Sequence, residues 1–293
     1  DSRGRSRSRA EVASEPVPTP DAALLAGKVA VVTGGGGGIG RAISETFAVH
    51  GAKVVVAEID ADRAAETVAA IRAGGGEALA QPVDVRQPGE VAALADATFA
   101  EYGRVDSLVN NVGHYLYRGT RFLDTDEEHW DTLYAVNLRH MFLCTKAFGP
   151  RIVEQGDGGS IINVSTVEAF RGIPLMAAYS AFKAGVVQFT KSLALDLGGD
   201  GIRVNGIAPD LTQTIQVPYD RWVPAEQQHL IPAWVPIGRF GTPEDIAGVA
   251  LFLASDLSAF VTGTTINADG GSLAAGGWFR TERGGWTNRP LNP

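Results

Sequence analysis

The sequence has almost no cysteine and no long apolar run. Of its 293 residues, Cys144 is the one cysteine, which excludes an internal disulfide bond and a cysteine metal cluster. The five histidines do not have the spacing of metal ligands, so no metal site is predicted. No uncharged apolar stretch reaches the length of a membrane span, about 20 residues, and the N-terminal sequence lacks the apolar segment of a secretory signal. We expect a cytoplasmic protein that does not bind membranes.

Positive charge is also in short supply. The chain has 25 Lys and Arg residues against 33 Asp and Glu residues, a formal net charge of −8 at pH 7. Nucleic acids and anionic lipid surfaces are polyanions, so this balance argues against both as partners. With 45% apolar residues, the chain is long enough for one sizeable core. The expected partners are therefore small molecules.

The two ends differ in composition from the rest of the chain. Residues 1–20 mix Ser, Arg and Pro with very few apolar side chains, which predicts a flexible tail. Its arginines could contact a polyanion, but a solvated arm is the simpler interpretation. Residues 272–293 are Gly-rich yet contain Trp278, Phe279 and Trp286. Because such aromatics seldom stay in water, this extension is predicted to pack on the body or on a neighbouring subunit.

Residues 21–271 alternate short β-branched runs with segments of helical periodicity. The seven runs read as strands are KVAVVT, AKVVVAEI, EALAQPVDV, VDSLVN, GSIINVS, GIRVNGIA and TGTTINADG. Several are apolar nearly throughout, which indicates burial on both faces. The predicted fold is α/β, a single doubly wound Rossmann-type domain with a seven-stranded parallel sheet and helices on both faces. Residues 211–240 interrupt the alternation and are predicted to form a substrate lid.

A glycine-rich turn follows the first strand, in VAVVTGGGGGIGRAI. Gly34, Gly38 and Gly40 would permit a tight turn, close approach of a pyrophosphate, and contact between helix and strand. The helix N-terminus would supply N–H donors and partial positive charge to that pyrophosphate. A linker is the alternative for five glycines alone, but their place between a strand and a helix favours a dinucleotide site.

The second strand ends at Glu58, twenty residues after Gly38. A carboxylate there can accept hydrogen bonds from the adenosine ribose and would repel a 2′-phosphate, which predicts NAD rather than NADP. Gly37, in the turn, offers no cation for such a phosphate. The alternative is a solvated acid at a strand end.

The chain resembles the short-chain dehydrogenase/reductase family from Gly27 to Gly271. The motifs that carry the resemblance, in order, are TGGGGGIG, VDV, NNVG, VN, YSAFK, RVNGIAPD, GRFGTPEDIA and INADGG. The resemblance implies a cofactor site formed by Gly34, Gly38, Ile39, Gly40, Glu58, Ile59, Asp84, Val85, Asn111, Val112, Gly113, Tyr179, Lys183, Pro209 and Thr214. Asp84 and Val85 would hold the adenine, and Ile207, Pro209 and Thr214 would flank the nicotinamide. Val112 and Asp210 depart from the Ala and Gly that are usual in the family.

Tyr179 and Lys183 are four residues apart and would share one face of a helix. A nearby ammonium and a positive nicotinamide would favour the phenolate, and lowering its pKa by about two to three units needs roughly 3 to 4 kcal/mol. Tyr179 could then exchange a proton with a substrate alcohol while Lys183 holds the nicotinamide ribose. An ordinary amphipathic helix is the alternative for the pair alone.

Two adjacent hydroxyls, Ser165 and Thr166, precede this pair. The family places the Ser that orients the substrate oxygen thirteen residues before the Tyr, a position held here by Thr166. Neighbours in a strand point to opposite faces, so only one hydroxyl should reach the substrate. Thr166 is preferred and Ser165 is the alternative. The resemblance also makes Asn137 a catalytic residue that holds a water near the Lys; a structural bond from its side chain to the backbone is the alternative.

The substrate pocket is predicted to be broad and apolar, which suits a hydrophobic, cyclic secondary alcohol or its ketone. Its predicted residues are His114, Tyr115, Glu168, Phe170, Trp222 and Trp234. His114 is interpreted as a wall of the pocket rather than as a base. The family often forms tetramers through two long helices, here near residues 126–155 and 177–198, so a homotetramer is expected. The predicted function is an NAD(H)-dependent alcohol/ketone oxidoreductase; a non-catalytic nucleotide-binding regulator is the alternative.

Overall fold

A computed structural model describes residues 19–277, 279–281 and 284–287. The predicted tail lies almost wholly outside these residues, as does Trp278 of the C-terminal extension. Within the described part of the chain, no helix combines the length and apolar character that crossing a membrane requires.

Seven parallel strands form the central sheet, which confirms the predicted fold. They are β1 Val29–Thr33, β2 Lys53–Glu58, β3 Glu77–Pro82, β4 Ser107–Asn110, β5 Gly159–Val164, β6 Ile202–Pro209 and β7 Thr265–Ala268. Their spatial order is β3-β2-β1-β4-β5-β6-β7. The order reverses between β1 and β4, and a crevice at the carboxyl ends of the strands is expected at such a switch point.

Helices cover both faces of the sheet. The longer ones are α1 Gly38–Val49, α2 Ala61–Ala73, α3 Pro88–Tyr102, α4 Glu127–Tyr134, α5 His140–Gln155 and α6 Ala177–Leu197. On one face, α1 and α2 bury Phe47 and Ile71 with a later helix, α9 (Pro243–Ala254). On the other, α3 and α5 bury Leu94 and Phe148. Cys144 lies in this second core, where burial raises the pKa of its thiol to about 12.

A single π-helical turn, Ala135–Arg139, joins α4 to α5. Asn137 lies in this turn and is fully buried. Such π turns often occur at functional sites because they redirect the side chains around them. The π turn therefore contains Asn137, which the sequence analysis named as a candidate catalytic residue.

The predicted lid contains little regular structure. It holds two four-residue helices, α7 Tyr219–Trp222 and α8 Ile231–Trp234, and a 3₁₀ helix, Ala225–Leu230, between them. After a short helix, α10 (Ser272–Ala275), strands β8 Phe279–Arg280 and β9 Trp286–Thr287 pair as an antiparallel hairpin. Strand β8 contacts α8, so the extension and the lid lie against each other.

Candidate active site

One large cavity, about 1580 Å³, opens at the carboxyl ends of the strands. The predicted cofactor residues on its wall are Gly34, Gly38, Ile39, Glu58, Ile59, Asp84, Val85, Asn111, Val112, Gly113, Tyr179, Lys183, Pro209 and Thr214. Gly40 and Ile207 are not on the wall. Ile207 is fully buried in β6, in a run of buried residues from Val204 to Pro209.

The glycine turn depends on the absence of side chains. Gly34 and Gly38 have positive φ, +62° and +50°, a conformation that favours glycine. A Cβ on Gly40 would overlap the carbonyl oxygen of Gly34, so Gly40 allows α1 to pack against the turn. Asn111 fixes the turn to the end of β4, since its Nδ2 donates to the Thr33 carbonyl at 3.0 Å. The turn is thus held against the end of β4, and Gly34 and Gly38 line the cavity.

Glu58 is buried beside this turn. Its Oε2 accepts a hydrogen bond from the Gly36 N–H at 3.1 Å, and its Oε1 accepts from Ile59 at 2.9 Å and from Asp60 at 3.3 Å. A carboxylate has about four acceptor positions, so about one remains for a ribose hydroxyl. Sequence reasoning missed Arg63, which lines the cavity here and pairs with Asp60 at 3.4 Å.

Asp84 has a partner that the sequence did not suggest. The Arg86 side chain donates to both of its carboxylate oxygens, at 2.8 to 3.1 Å, and these hydrogen bonds lower the pKa of Asp84. The predicted adenine contact would therefore share this carboxylate with Arg86. Both side chains line the same end of the cavity.

Lys183 is almost fully buried, with its ammonium in the cavity wall. Its Nζ donates to the Val164 carbonyl at 3.1 Å. A Cβ on Gly113 would lie 2.8 Å from this Nζ, so the glycine provides the room for the ammonium. Burial lowers the pKa of Lys183 to about 8. The side chain is held at the junction of β5, α6 and the segment after β4.

Tyr179 lies one turn before Lys183 in α6, and the Lys183 Nζ is 6.0 Å from the centre of its ring. Burial raises the pKa of Tyr179, and the charge of Glu168 raises it further. The hydroxyl of Thr166 lowers it by hydrogen bonding. The Lys183 ammonium is directed towards the Val164 carbonyl, and its effect on the pKa of Tyr179, together with that of a positive nicotinamide, stays a prediction.

The two candidate hydroxyls have different environments. Both residues line the cavity, but the Ser165 hydroxyl is buried and donates to the Lys183 carbonyl within the protein at 2.9 Å. The Thr166 hydroxyl donates to the Pro209 carbonyl at 3.3 Å and accepts from the Glu168 N–H, and hydrogen bonding to it lowers the pKa of Tyr179. Of the two, Thr166 is placed to contact a substrate held at Tyr179.

Asn137 does not line the cavity. Its Oδ1 accepts from the His114 N–H at 3.1 Å, and its Nδ2 donates to the carbonyls of His114 and Leu133, both at 2.9 Å. The side chain thus makes the structural bonds that the sequence left as an alternative to a catalytic role. They fix the backbone next to Gly113, whose missing Cβ leaves room for Lys183.

Four of the predicted substrate-pocket residues line this cavity and define what we call its substrate end: His114, Tyr115, Glu168 and Trp222. Phe170 and Trp234 are outside it. Phe170 is 43% exposed just after a short 3₁₀ helix, and Trp234 is 37% exposed on α8. Burial lowers the pKa of His114, and its Nδ1 accepts from the Leu116 N–H at 2.9 Å. This environment suits a wall residue better than a base.

The comparisons with known proteins agree with this geometry. The enoyl-(acyl carrier protein) reductase family model matches residues 34–272. A 3-oxoacyl-[acyl-carrier-protein] reductase of Synechocystis sp. (strain ATCC 27184 / PCC 6803 / Kazusa) is 40% identical over 251 residues, which cover 85% of this chain and 98% of the relative. The chain belongs to the short-chain dehydrogenase/reductase family. It is therefore an enzyme, an oxidoreductase that acts on CH–OH groups.

Two further members of the short-chain dehydrogenase/reductase family show the range of its substrates. A D-threitol dehydrogenase of Mycolicibacterium smegmatis (strain ATCC 700084 / mc(2)155) is 37% identical, with 84% of this chain and 93% of the relative covered. The structure of a 7α-hydroxysteroid dehydrogenase complexed with NADH and 7-oxo glycochenodeoxycholic acid is 35% identical, with a TM-score of 0.80, and covers 87% of this chain and 98% of that one. The family membership alone does not define the substrate.

Two further wall residues of this short-chain dehydrogenase/reductase had less specific places in the sequence predictions: Asp210 as a departure from the family pattern, and Tyr219 as an apolar residue of the predicted lid. Asp210 and Tyr219 line the substrate end of the cavity. Tyr219 stacks on Phe240 with ring centres 4.7 Å apart, and burial raises the pKa of Tyr219 to about 12. The departure of Asp210 from the family pattern was the signal that could have identified it.

Proposed function

We propose that the protein interconverts a secondary alcohol and its ketone with NAD(H), and that Tyr179 exchanges the proton. The observation that carries the proposal is one shared cavity: Tyr179, Lys183 and Thr166 line it together with the glycine turn and Glu58. One cavity is thus lined by a titratable group, a hydroxyl that can orient a substrate and a glycine turn that can bind a dinucleotide. This is the arrangement that coupled proton and hydride transfer requires.

Each of these side chains has a separate task. Thr166 orients the substrate oxygen towards Tyr179, whose hydroxyl donates a proton to a ketone or, as phenolate, accepts one from an alcohol. Lys183 holds the nicotinamide ribose, in the space that Gly113 leaves open. The cofactor supplies the hydride acceptor or donor, and in its oxidised form a positive ring that favours the phenolate.

The charges at the adenosine end favour NAD over NADP. Glu58, Asp60 and Arg63 lie together there and sum to one negative charge, which opposes a 2′-phosphate. NADH in the 7α-hydroxysteroid dehydrogenase complex is consistent with this choice. We expect Glu58→Ser to raise kcat/KM for NADP+ by about tenfold or more. Steady-state rates with both cofactors test it, and an unchanged preference for NAD+ would show that Glu58 is not the selector.

The walls of the substrate end suit a cyclic secondary alcohol. Tyr115, Met176, Tyr219 and Trp222 present ring and thioether surfaces to the cavity. The 7α-hydroxysteroid dehydrogenase relative is bound to a polycyclic ketone. A homotetramer is part of the proposal, and light scattering coupled to gel filtration would test it.

The decisive experiment uses NAD+ and a panel of cyclic secondary alcohols. We expect wild-type turnover, and we expect Tyr179→Phe to lower kcat by about 10²-fold or more while NADH binding persists. Tyr102→Phe is the matched control, because Tyr102 lies on α3 and outside the cavity. Cofactor binding without turnover by wild type would favour the non-catalytic alternative, and full activity of Tyr179→Phe would mean that the base is another group.

A further inference from the structure

Two carboxylates share the substrate end of the cavity with Tyr179. Arg171 bridges them: its Nη2 donates to Glu168 Oε1 at 2.9 Å and to Asp210 Oδ2 at 2.7 Å, and its Nε donates to Glu168 Oε2 at 3.3 Å. The side chains of Glu168 and Asp210 are only 14% and 9% exposed. Two negative charges and one positive charge leave this wall with a net charge of −1.

The two acids differ in how many of their acceptor positions are occupied. Asp210 accepts three hydrogen bonds, from Arg171, from the Ser272 hydroxyl at 2.6 Å and from the Leu211 N–H at 2.9 Å. Glu168 accepts two, both from Arg171. A carboxylate offers about four positions, so about two remain on Glu168. Asp210 positions Arg171, and Glu168 is the acid with capacity for a further donor.

Glu168 also lies beside Thr166, the proposed orienting residue, and lines the same cavity as Tyr179. It follows Thr166 by two residues, its N–H donates to the Thr166 hydroxyl at 3.4 Å, and its charge is felt by Tyr179. A substrate whose reacting oxygen is held by Thr166 and Tyr179 therefore has its neighbouring atoms close to Glu168. Buried acceptors without a donor reduce affinity, so this environment discriminates against a purely hydrocarbon neighbour.

We propose that Glu168 selects substrates with a second hydroxyl on the carbon beside the reacting one, that is, vicinal diols or polyols. The inference rests on the proposed function and specifies its substrate class. A neutral hydroxyl donates without a counter-charge, whereas an adjacent carboxylate would be repelled by the net negative wall. An adjacent ammonium would lie beside the guanidinium of Arg171, which shares the Glu168 carboxylate, and the two positive charges would repel each other. The wall thus recognises a neutral donor.

The test compares cis-1,2-cyclohexanediol with cyclohexanol, two alcohols that differ by one hydroxyl. Wild type is expected to have a kcat/KM for the diol about tenfold or more above that for cyclohexanol, as a hydrogen bond to a charged acceptor predicts. Glu168→Gln is expected to reduce this ratio about tenfold. Asp96→Asn is the control, since Asp96 pairs with Arg151 at 3.0 Å outside the cavity and should leave the ratio unchanged.

The possible failures are distinguishable. Equal wild-type kcat/KM values for the two alcohols would overturn the role of Glu168 while leaving the proposed oxidoreductase function intact. A ratio preserved in Glu168→Gln, with NADH binding and Tm as in wild type, would overturn it too. If Glu168→Gln does not fold, the wild-type ratio alone decides. Turnover of neither alcohol, nor of any other secondary alcohol in the panel, would remove the proposed function and this inference together.

Discussion

Gly113→Ala should slow the enzyme by displacing one ammonium group. The backbone of Gly113 does not have a positive φ, so alanine can adopt its conformation without strain. The new Cβ, however, would lie 2.8 Å from the Lys183 Nζ and 3.3 Å from the Asn137 Oδ1. Asn137 is fixed by three hydrogen bonds to the backbone. The lysine is therefore the group that moves.

The size of the effect follows from these distances. Ordinary contact begins near 3.4 Å, so Nζ must move by about 0.6 Å, the difference between 3.4 and 2.8 Å. Its hydrogen bond to the Val164 carbonyl is 3.1 Å long, and a shift of this size away from Val164 breaks it. We expect a loss of about 1 to 3 kcal/mol in the free energy of unfolding. Because catalysis is sensitive to misplacement on this scale, kcat should fall by about 10- to 100-fold.

The assay is NADH formation with the best alcohol of the panel, together with urea unfolding and NADH binding. Gly89→Ala is the matched control, because Gly89 is exposed in the first turn of α3 and a Cβ there would meet nothing within 4 Å. The control should keep its kcat and match or slightly exceed wild-type stability. Wild-type kcat in Gly113→Ala would refute the requirement for Lys183 at its observed position.

Three other substitutions separate stability from activity. Lys183→Met should abolish turnover yet raise the free energy of unfolding at pH 7 by about 1 to 2 kcal/mol. Burial lowers the pKa of Lys183 from 10.5 to about 8, so keeping the buried lysine charged at pH 7 costs the folded protein about 3 kcal/mol. The substitution removes this cost but also removes a hydrogen bond that contributes about 1 kcal/mol. The cost applies in full below pH 8 and disappears towards pH 10.5, where the lysine loses its charge in the unfolded as well as the folded protein. The stability that Lys183→Met gains over wild type in urea unfolding should therefore vanish near pH 10.5. A gain that is the same at every pH would contradict the lowered pKa of Lys183. Thr166→Ala should lower kcat by about tenfold or more, whereas Ser165→Ala should lower stability by about 1 kcal/mol and keep kcat; the reverse pattern would identify Ser165 as the orienting hydroxyl.

The sheet could be predicted because its signals are local. Runs such as VAVVT are apolar at every position, and burial on both faces of a parallel sheet explains them. Strand ends were less accurate. The third strand was predicted to continue through Val85, but it ends at Pro82, because its neighbour β2 ends at Glu58, the partner of Pro82 in the ladder. A strand end is decided by the neighbouring strand, which the sequence of one segment does not contain.

The candidate site also divides into features set by local sequence and features set by distant segments. The glycine turn and the pair Tyr179 and Lys183 are each set by spacing within one segment, and the motifs located them. The side-chain partners of Asp210, Arg171 and Ser272, are 39 and 62 residues away in the sequence. Nothing in the local sequence indicates this network. The departure from the family pattern at Asp210 marked the position but not its electrostatic role.

The protonation state of Tyr179 leads to a prediction about the two directions of reaction. Burial, Glu168, Tyr115 and Asp210 raise the pKa of Tyr179, Thr166 lowers it, and the Lys183 Nζ is 6.0 Å from the ring centre. A phenol with a raised pKa is protonated at neutral pH, which is the form that donates to a ketone. Oxidation of an alcohol needs the phenolate, whose fraction grows tenfold per pH unit below the pKa.

We therefore expect kcat/KM for alcohol oxidation to rise by about tenfold per unit from pH 6 to 8. Above pH 8 the rise should flatten, because Lys183, with a pKa of about 8, loses the charge that stabilises a phenolate. Ketone reduction should vary little over the same interval, since the phenol remains protonated throughout. Steady-state rates in both directions from pH 6 to 10 test this. An oxidation rate that is flat from pH 6 to 8 would mean that Tyr179 is already ionised there, in which case the charge of the bound cofactor outweighs both the burial and the two carboxylates.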